Sequence, residues 1–295
     1  MNLLDNKTLW AFVSGSDEAR FINDIHFGVC CLKHRQIQAS NIICFVDSVG
    51  TSIFAMPSNF PSNIPIHATS EIASVIRSHS PEKVVFVVTG HGQAEGISAV
   101  PTISPSSLVN SVKGASNVQH SLFVLGQCYA GTFNYLQTRP LDPNGKPIHG
   151  PEFAFIGATD LQVSLSDIVD LSTIGLQGFQ CSPKWCANLF LFFFMLFIAF
   201  PKDIDGDGRI CVIDSYKFAG VHSNESLINA KRHSLIKLSA ILQKALSQSP
   251  SGQNKNITAS LTQQSIQDLS QSSRVVLSQQ KSWILNANFA RRLTL

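Results

Sequence analysis

"VVFVVTGHGQAEG", residues 84–96, runs six β-branched or aromatic residues into Gly90-His91-Gly92. A short run that is apolar at every position, not at alternate ones, reads as a strand buried on both faces. Its end places a titratable imidazole between two glycines. "SLFVLGQCYAGTF", residues 121–133, repeats the design: an apolar strand, then Gly126, Gln127 and Cys128. Working outward, "LWAFVSG" (9–15), "NIICFVD" (41–47) and "EFAFIGATD" (152–160) are further strands of the same kind. Residues 17–33 recur in apolar character at helical spacing, and residues 70–78 form a shorter helix. Strands alternating with helices imply a parallel sheet covered on both faces. In such sheets ligands and reactive groups gather beyond the carboxyl ends of the strands, which is where both His91 and Cys128 fall.

Composition narrows the function classes. The chain has 295 residues, enough for one large domain or one domain with an appendage. A net charge of +3 with no basic cluster argues against nucleic acid as a partner. Seven cysteines, an odd number without framework spacing, do not read as a disulfide scaffold, and no secretory leader pattern opens the chain; the expected compartment is the cytoplasm. Residues 187–200, "ANLFLFFFMLFIAF", carry no charge, but 14 residues fall short of the roughly 20 that span a bilayer. A buried core helix is the expectation, with a membrane-linked helix anchored by Trp185 and Lys202 as the alternative. Residues 225–295 read as a helical, Ser/Gln-rich C-terminal region appended to a domain spanning 1–224, with a helix at 225–248 followed by a linker at 249–256.

A thiol at a strand's carboxyl end, near a helix start, gains from backbone N–H groups that favour thiolate and oxyanion. His91, on a neighbouring strand end, would take the thiol proton and return it to a leaving amine. The N–H groups of Gly92 and Cys128 would form an oxyanion hole. Taken singly, His91 reads as an ordinary loop histidine and Cys128 as a small buried hydrophobe; their pairing, each behind an apolar strand, points to catalysis. A class I glutamine amidotransferase is set aside, because its Gly-x-Cys-x-Gly elbow is one residue shorter than Gly126-x-Cys128-x-x-Gly131 and its histidine lies downstream.

The two motifs together resemble those of caspase-like cysteine peptidases, the group that includes caspases, metacaspases and legumain. "LWAFVSGSDEARFINDI" is similar to the first strand and helix of legumain-type members, and "FAFIGATDLQVSLSD" to the strand whose end lines their S1 pocket. The resemblance covers roughly residues 8–220. It implies a three-layer α/β/α fold with a mostly parallel six-stranded sheet, and an endopeptidase acting on protein or peptide substrates through a thioester acyl-enzyme. It also implies an S1 pocket drawn from Arg20, Asp24, Asp160, Ser164 and Asp167. Arg20 would favour an acidic or amide P1 side chain and the aspartates a basic one; the choice stays open. A regulatory protein or activating complex is a further implied partner, and a catalytically silent interaction module is the alternative from another class.

"DIDGDGRICVID", residues 203–214, has the spacing of a calcium loop. Asp203, Asp205, Asp207, the Arg209 carbonyl and Asp214 fall at positions 1, 3, 5, 7 and 12, with Gly208 at the sharp turn. The expected cofactor is Ca2+; the bland alternative is an Asx-rich turn. A similar loop follows the same apolar helix in some bacterial legumain-like sequences.

Overall fold

The computed structural model describes residues 1–47, 60–139, 142–144, 150–173, 179, 184–247, 263–278 and 280–295. The expected linker at 249–256 lies outside them. The fold is α/β, built on a mostly parallel seven-stranded sheet. Six strands run parallel: β1 (Thr8–Ser14), β2 (Ile42–Val46), β3 (Ile66–His67), β4 (Lys83–Thr89), β7 (His120–Leu125) and β8 (Glu152–Gly157). The seventh, β11 (Trp283–Leu285), pairs antiparallel with β8, giving the order β11-β8-β7-β4-β1-β2-β3. Two small hairpin-like pairs stand outside it: β5 (Gly92–Gln93) with β6 (Gly96–Ile97), and β9 (Ser166–Asp170) with β10 (Lys184–Asn188).

Strand residues alternate between two cores, as the period of two requires. On one face Trp10, Phe12, Val85, Val87 and Val124 meet helices α1 (Ala19–His34) and α4 (Leu189–Ala199). On the other, Leu9, Ala11, Val13, Phe86 and Phe123 meet α2 (Ile72–His79) and α3 (Pro105–Lys113). Both faces being covered explains why the strands are apolar at every position.

Helix α4 is the uncharged stretch. It has 11 residues, nearly all buried, capped by the Asn188 side chain accepting from Leu191 N–H at 3.0 Å. It packs between α1 and α5 (Val212–Ser247), with Phe27 stacked on Phe192 at 4.3 Å. Among the described residues no helix is long and apolar enough to cross a membrane.

The C-terminal region departs from the expected division. The proposed boundary at 224/225 falls inside α5, one continuous helix of 36 residues, on which α6 (Gln263–Leu277) packs. The chain then returns to the main body. β11 extends the sheet, Trp283 lies over Gly157, and α7 (Ala287–Ala290) buries Phe289 with Leu293 in the core. Thr294 bridges both Asn2 and Cys211. Residues 283–295 are therefore part of the sheet domain, not of an appendage: three apolar side chains and an open sheet edge outweigh a polar average composition.

Candidate active site

The carboxyl ends of β1, β4 and β7 lie side by side, because these strands pair in parallel and in register, Val88 beside Leu125 and Thr89 beside Ser14. His91 follows β4 by two residues and Cys128 follows β7 by three. Gly90 takes φ +104°, a left-handed conformation that suits glycine. At Gly92 the constraint is space: a Cβ there would lie 1.8 Å from the Cys128 carbonyl oxygen. The loops bearing the imidazole and the thiol thus touch backbone to backbone, and only a residue without a side chain permits it. The same hairpin is closed by Ser98 N–H donating to the His91 carbonyl at 2.9 Å.

Cys128 is half-buried, and its Sγ accepts from Ser164 N–H at 3.3 Å. The next residue, Tyr129, has φ +55°, uncommon for a side chain of its size. Its N–H donates to Gln162 O at 2.9 Å, which holds the turn. The expected helix after the thiol is a six-residue 3-10 stretch, 130–135, so little helix dipole acts there.

The His91 ring is about half exposed and held on two sides. Its Nε2 lies 2.5 Å from Glu18 Oε1, and Phe21 meets it edge-on with ring centroids 5.1 Å apart. The other Glu18 oxygen, Oε2, takes Arg20 Nε at 3.1 Å, and the Arg20 guanidinium lies over the Phe21 ring at 4.5 Å. Partial burial works against the Glu18 charge, but the His91 hydrogen bond, the charge of a protonated His91 and Arg20 bring its pKa below the ordinary value. Glu18 was invisible to sequence reading. The one available signal was an acidic residue just past the carboxyl end of β1.

The expected S1 residues divide. Arg20 stands beside His91, engaged with Glu18. Ser164 lies beside the thiol. Asp160 packs its backbone against Gly131, and its carbonyl accepts that residue's N–H at 3.2 Å. Asp167 is exposed on β9, with its carboxylate on the N–H of Ile168. Asp24 requires a correction: it is buried beneath the site and presents nothing to a substrate. Its Oδ2 accepts from Thr89 Oγ1 at 2.5 Å and its Oδ1 from Asn188 N–H at 2.7 Å. Asn188 in turn donates through Nδ2 to Gly126 O at 2.9 Å and to Ser164 Oγ at 2.7 Å. One buried network therefore ties the residue two before His91, the residue two before Cys128 and the residue bonded to the sulfur. Burial raises the Asp24 pKa to about 7, against the opposing pull of Thr89 and Asn188.

In the 203–214 loop, Asp203, Asp205 and Asp214 bring carboxylate oxygens within 4.8 Å of one another. Asp207 lies outside this group, its carboxylate accepting from Arg209 N–H at 2.9 Å. Asp203 accepts from the N–H groups of Gly206 and Gly208, Asp214 from those of Ile204 and Cys211, and Lys217 pairs with Asp205 at 2.8 Å. The donors are oxygens alone, the kind of atom that a hard cation takes.

The chain matches no protein-family model and no curated protein sequence.

Proposed function

We propose that this chain is a caspase-like cysteine endopeptidase, with Cys128 as nucleophile and His91 as general acid and base. The observation carrying the reading is the backbone contact between Gly92 and Cys128, which sets a histidine loop and a cysteine loop together at the carboxyl edge of adjacent parallel strands. In the reaction the Cys128 thiol gives its proton to His91, and the thiolate attacks the scissile carbonyl. Negative charge on the carbonyl oxygen is met by the N–H groups of Gly92 and Cys128. The His91 proton passes to the leaving amine as the C–N bond breaks, leaving a thioester. Water then adds, giving its proton to His91; collapse expels the Cys128 thiolate, which is reprotonated, and the acid product leaves.

Arg20, Asp160, Ser164 and Asp167 surround this edge and supply groups of both signs for the P1 side chain. Ca2+ binding at Asp203, Asp205 and Asp214 is part of the proposal, with displacement of Lys217 from Asp205 as its local consequence. The free thiols of Cys31, Cys44, Cys128, Cys186 and Cys211 suit action in the reducing cytoplasm.

The test is cleavage of a peptide library with calcium and with chelator. The proposal expects cleavage that is lost in Cys128→Ala, with P1 preference shifted by Arg20→Ala or Asp167→Asn. A library left intact under both conditions by the purified chain would refute it.

A further inference from the structure

We infer that Glu18 is the positioning residue of His91 and that it assigns the reaction's proton traffic to Nδ1 of the imidazole. This rests on the reading of His91 as the acid–base group. The carboxylate lies 2.5 Å from Nε2 and its pKa is lowered, so at neutral pH it is ionised and offers only lone pairs. A hydrogen bond to it requires the proton on Nε2. In the neutral ring Nδ1 is then the base; in the imidazolium, Nδ1–H is the acid. The thiol proton moves to Nδ1, Nε2–H stays on Glu18, and the charge formed on the ring is met by a carboxylate already in place.

Three features of this chain hold the arrangement. Glu18 is the N-cap residue of α1, a position from which a shorter Asp, Asn, Ser or Thr side chain turns back on its own helix. Here it makes no such cap, and only its carbonyl takes the N–H groups of Phe21 and Ile22. The carboxylate is turned outward, across the gap from the end of β1 to the end of β4. Arg20 Nε fixes the second oxygen, which leaves Oε1 for the imidazole. The Phe21 edge limits rotation of the ring. Arg20 Nη2 is itself 3.5 Å from Nε2, but a guanidinium is only a donor, so the shorter Glu18 contact decides which way that nitrogen faces.

Two measurements test this on the full chain. The first is long-range 15N–1H correlation of the histidine rings at alkaline pH, which identifies the tautomer without calling on activity. His91 is expected as the Nε2–H form in the native chain, and as a mixture in Glu18→Ala. The second is the rate at which an electrophilic peptide alkylates Cys128 at neutral pH. Glu18→Gln and Glu18→Ala should slow it by at least about tenfold without lowering the melting temperature, and Glu18→Asp should recover part of the loss. Both residues are near half exposed, so these variants keep the fold. A native Nδ1–H tautomer, or a Glu18→Gln chain alkylated at the native rate, overturns the assignment while leaving Cys128 as nucleophile. A native chain whose Cys128 resists alkylation overturns the peptidase reading and the assignment with it.

Discussion

At the scale of single residues, glycine carries as much of the site as the reactive groups do. A methyl group at Gly92 collides with the Cys128 carbonyl at 1.8 Å, and the obstacle is backbone, which cannot swing aside. Gly92→Ala should therefore part the two loops, lowering peptide cleavage by about 100-fold or more and stability by roughly 1–3 kcal/mol. Steady-state kinetics and urea unfolding read the two effects separately. Asp24 predicts a pH effect. Its raised pKa, about 7, means that the folded chain holds a proton the unfolded chain has released once pH exceeds the ordinary carboxylate range. Stability should then fall as pH rises from about 4 to about 7, and Asp24→Asn should flatten that slope in urea titrations. The place of His91 and Cys128 at the carboxyl edge of the sheet was legible because each closely follows an apolar strand that gives way to a glycine, Gly90 and Gly126. Asp24 was misplaced because letters at matching positions do not show burial. Glu18 was missed because its role depends on reaching a nitrogen 73 positions along the chain.

At the scale of elements, the strands buried on both faces were legible throughout: β1, β2, β4, β7 and β8 fall where all-apolar runs stop at turn residues. The rest follow weaker rules. Helix α3 lies in a polar stretch, yet Ser104 caps it by accepting from Ser107 N–H at 3.1 Å and Pro105 opens it. β9 and β10 are half exposed, and "SDIVD" carries charges that hide a strand. The buried helix α4 shows how an element can serve the site from below. Its cap, Asn188, also bonds Gly126 and Ser164. Asn188→Ala would leave the Leu191 N–H and the Gly126 carbonyl without these partners, at a cost of about 2–4 kcal/mol. The expected outcome is a lower urea midpoint together with slowed Cys128 alkylation, since the same amide steadies the loop at the sulfur.

At the scale of the whole molecule, the C-terminus closes the fold. Edge strand β11 and the buried Phe289 lie far from the average character of their Ser/Gln-rich surroundings, and composition alone concealed them. Phe289→Ala, at a fully buried position, should cost about 3–5 kcal/mol and lower the melting temperature of the entire domain, not merely loosen one end. His91, Cys128, Glu18 and Arg20 lie at the carboxyl edge of the sheet, each at least partly open to solvent. Whether that edge is a peptidase site is read most directly by competition between two thiols of the same chain. An electrophilic peptide offered to the protein, followed by peptide mapping in a mass spectrometer, compares half-buried Cys128 with the more exposed Cys186, whose thiol is raised above the ordinary pKa by partial desolvation and by the nearby charges of Asp24 and Asp167. The account predicts an adduct at Cys128 first, slowed by about 100-fold in His91→Ala while Cys186 reacts as before. Alkylation of Cys186 with Cys128 untouched, or a Cys128 rate indifferent to His91, would contradict it.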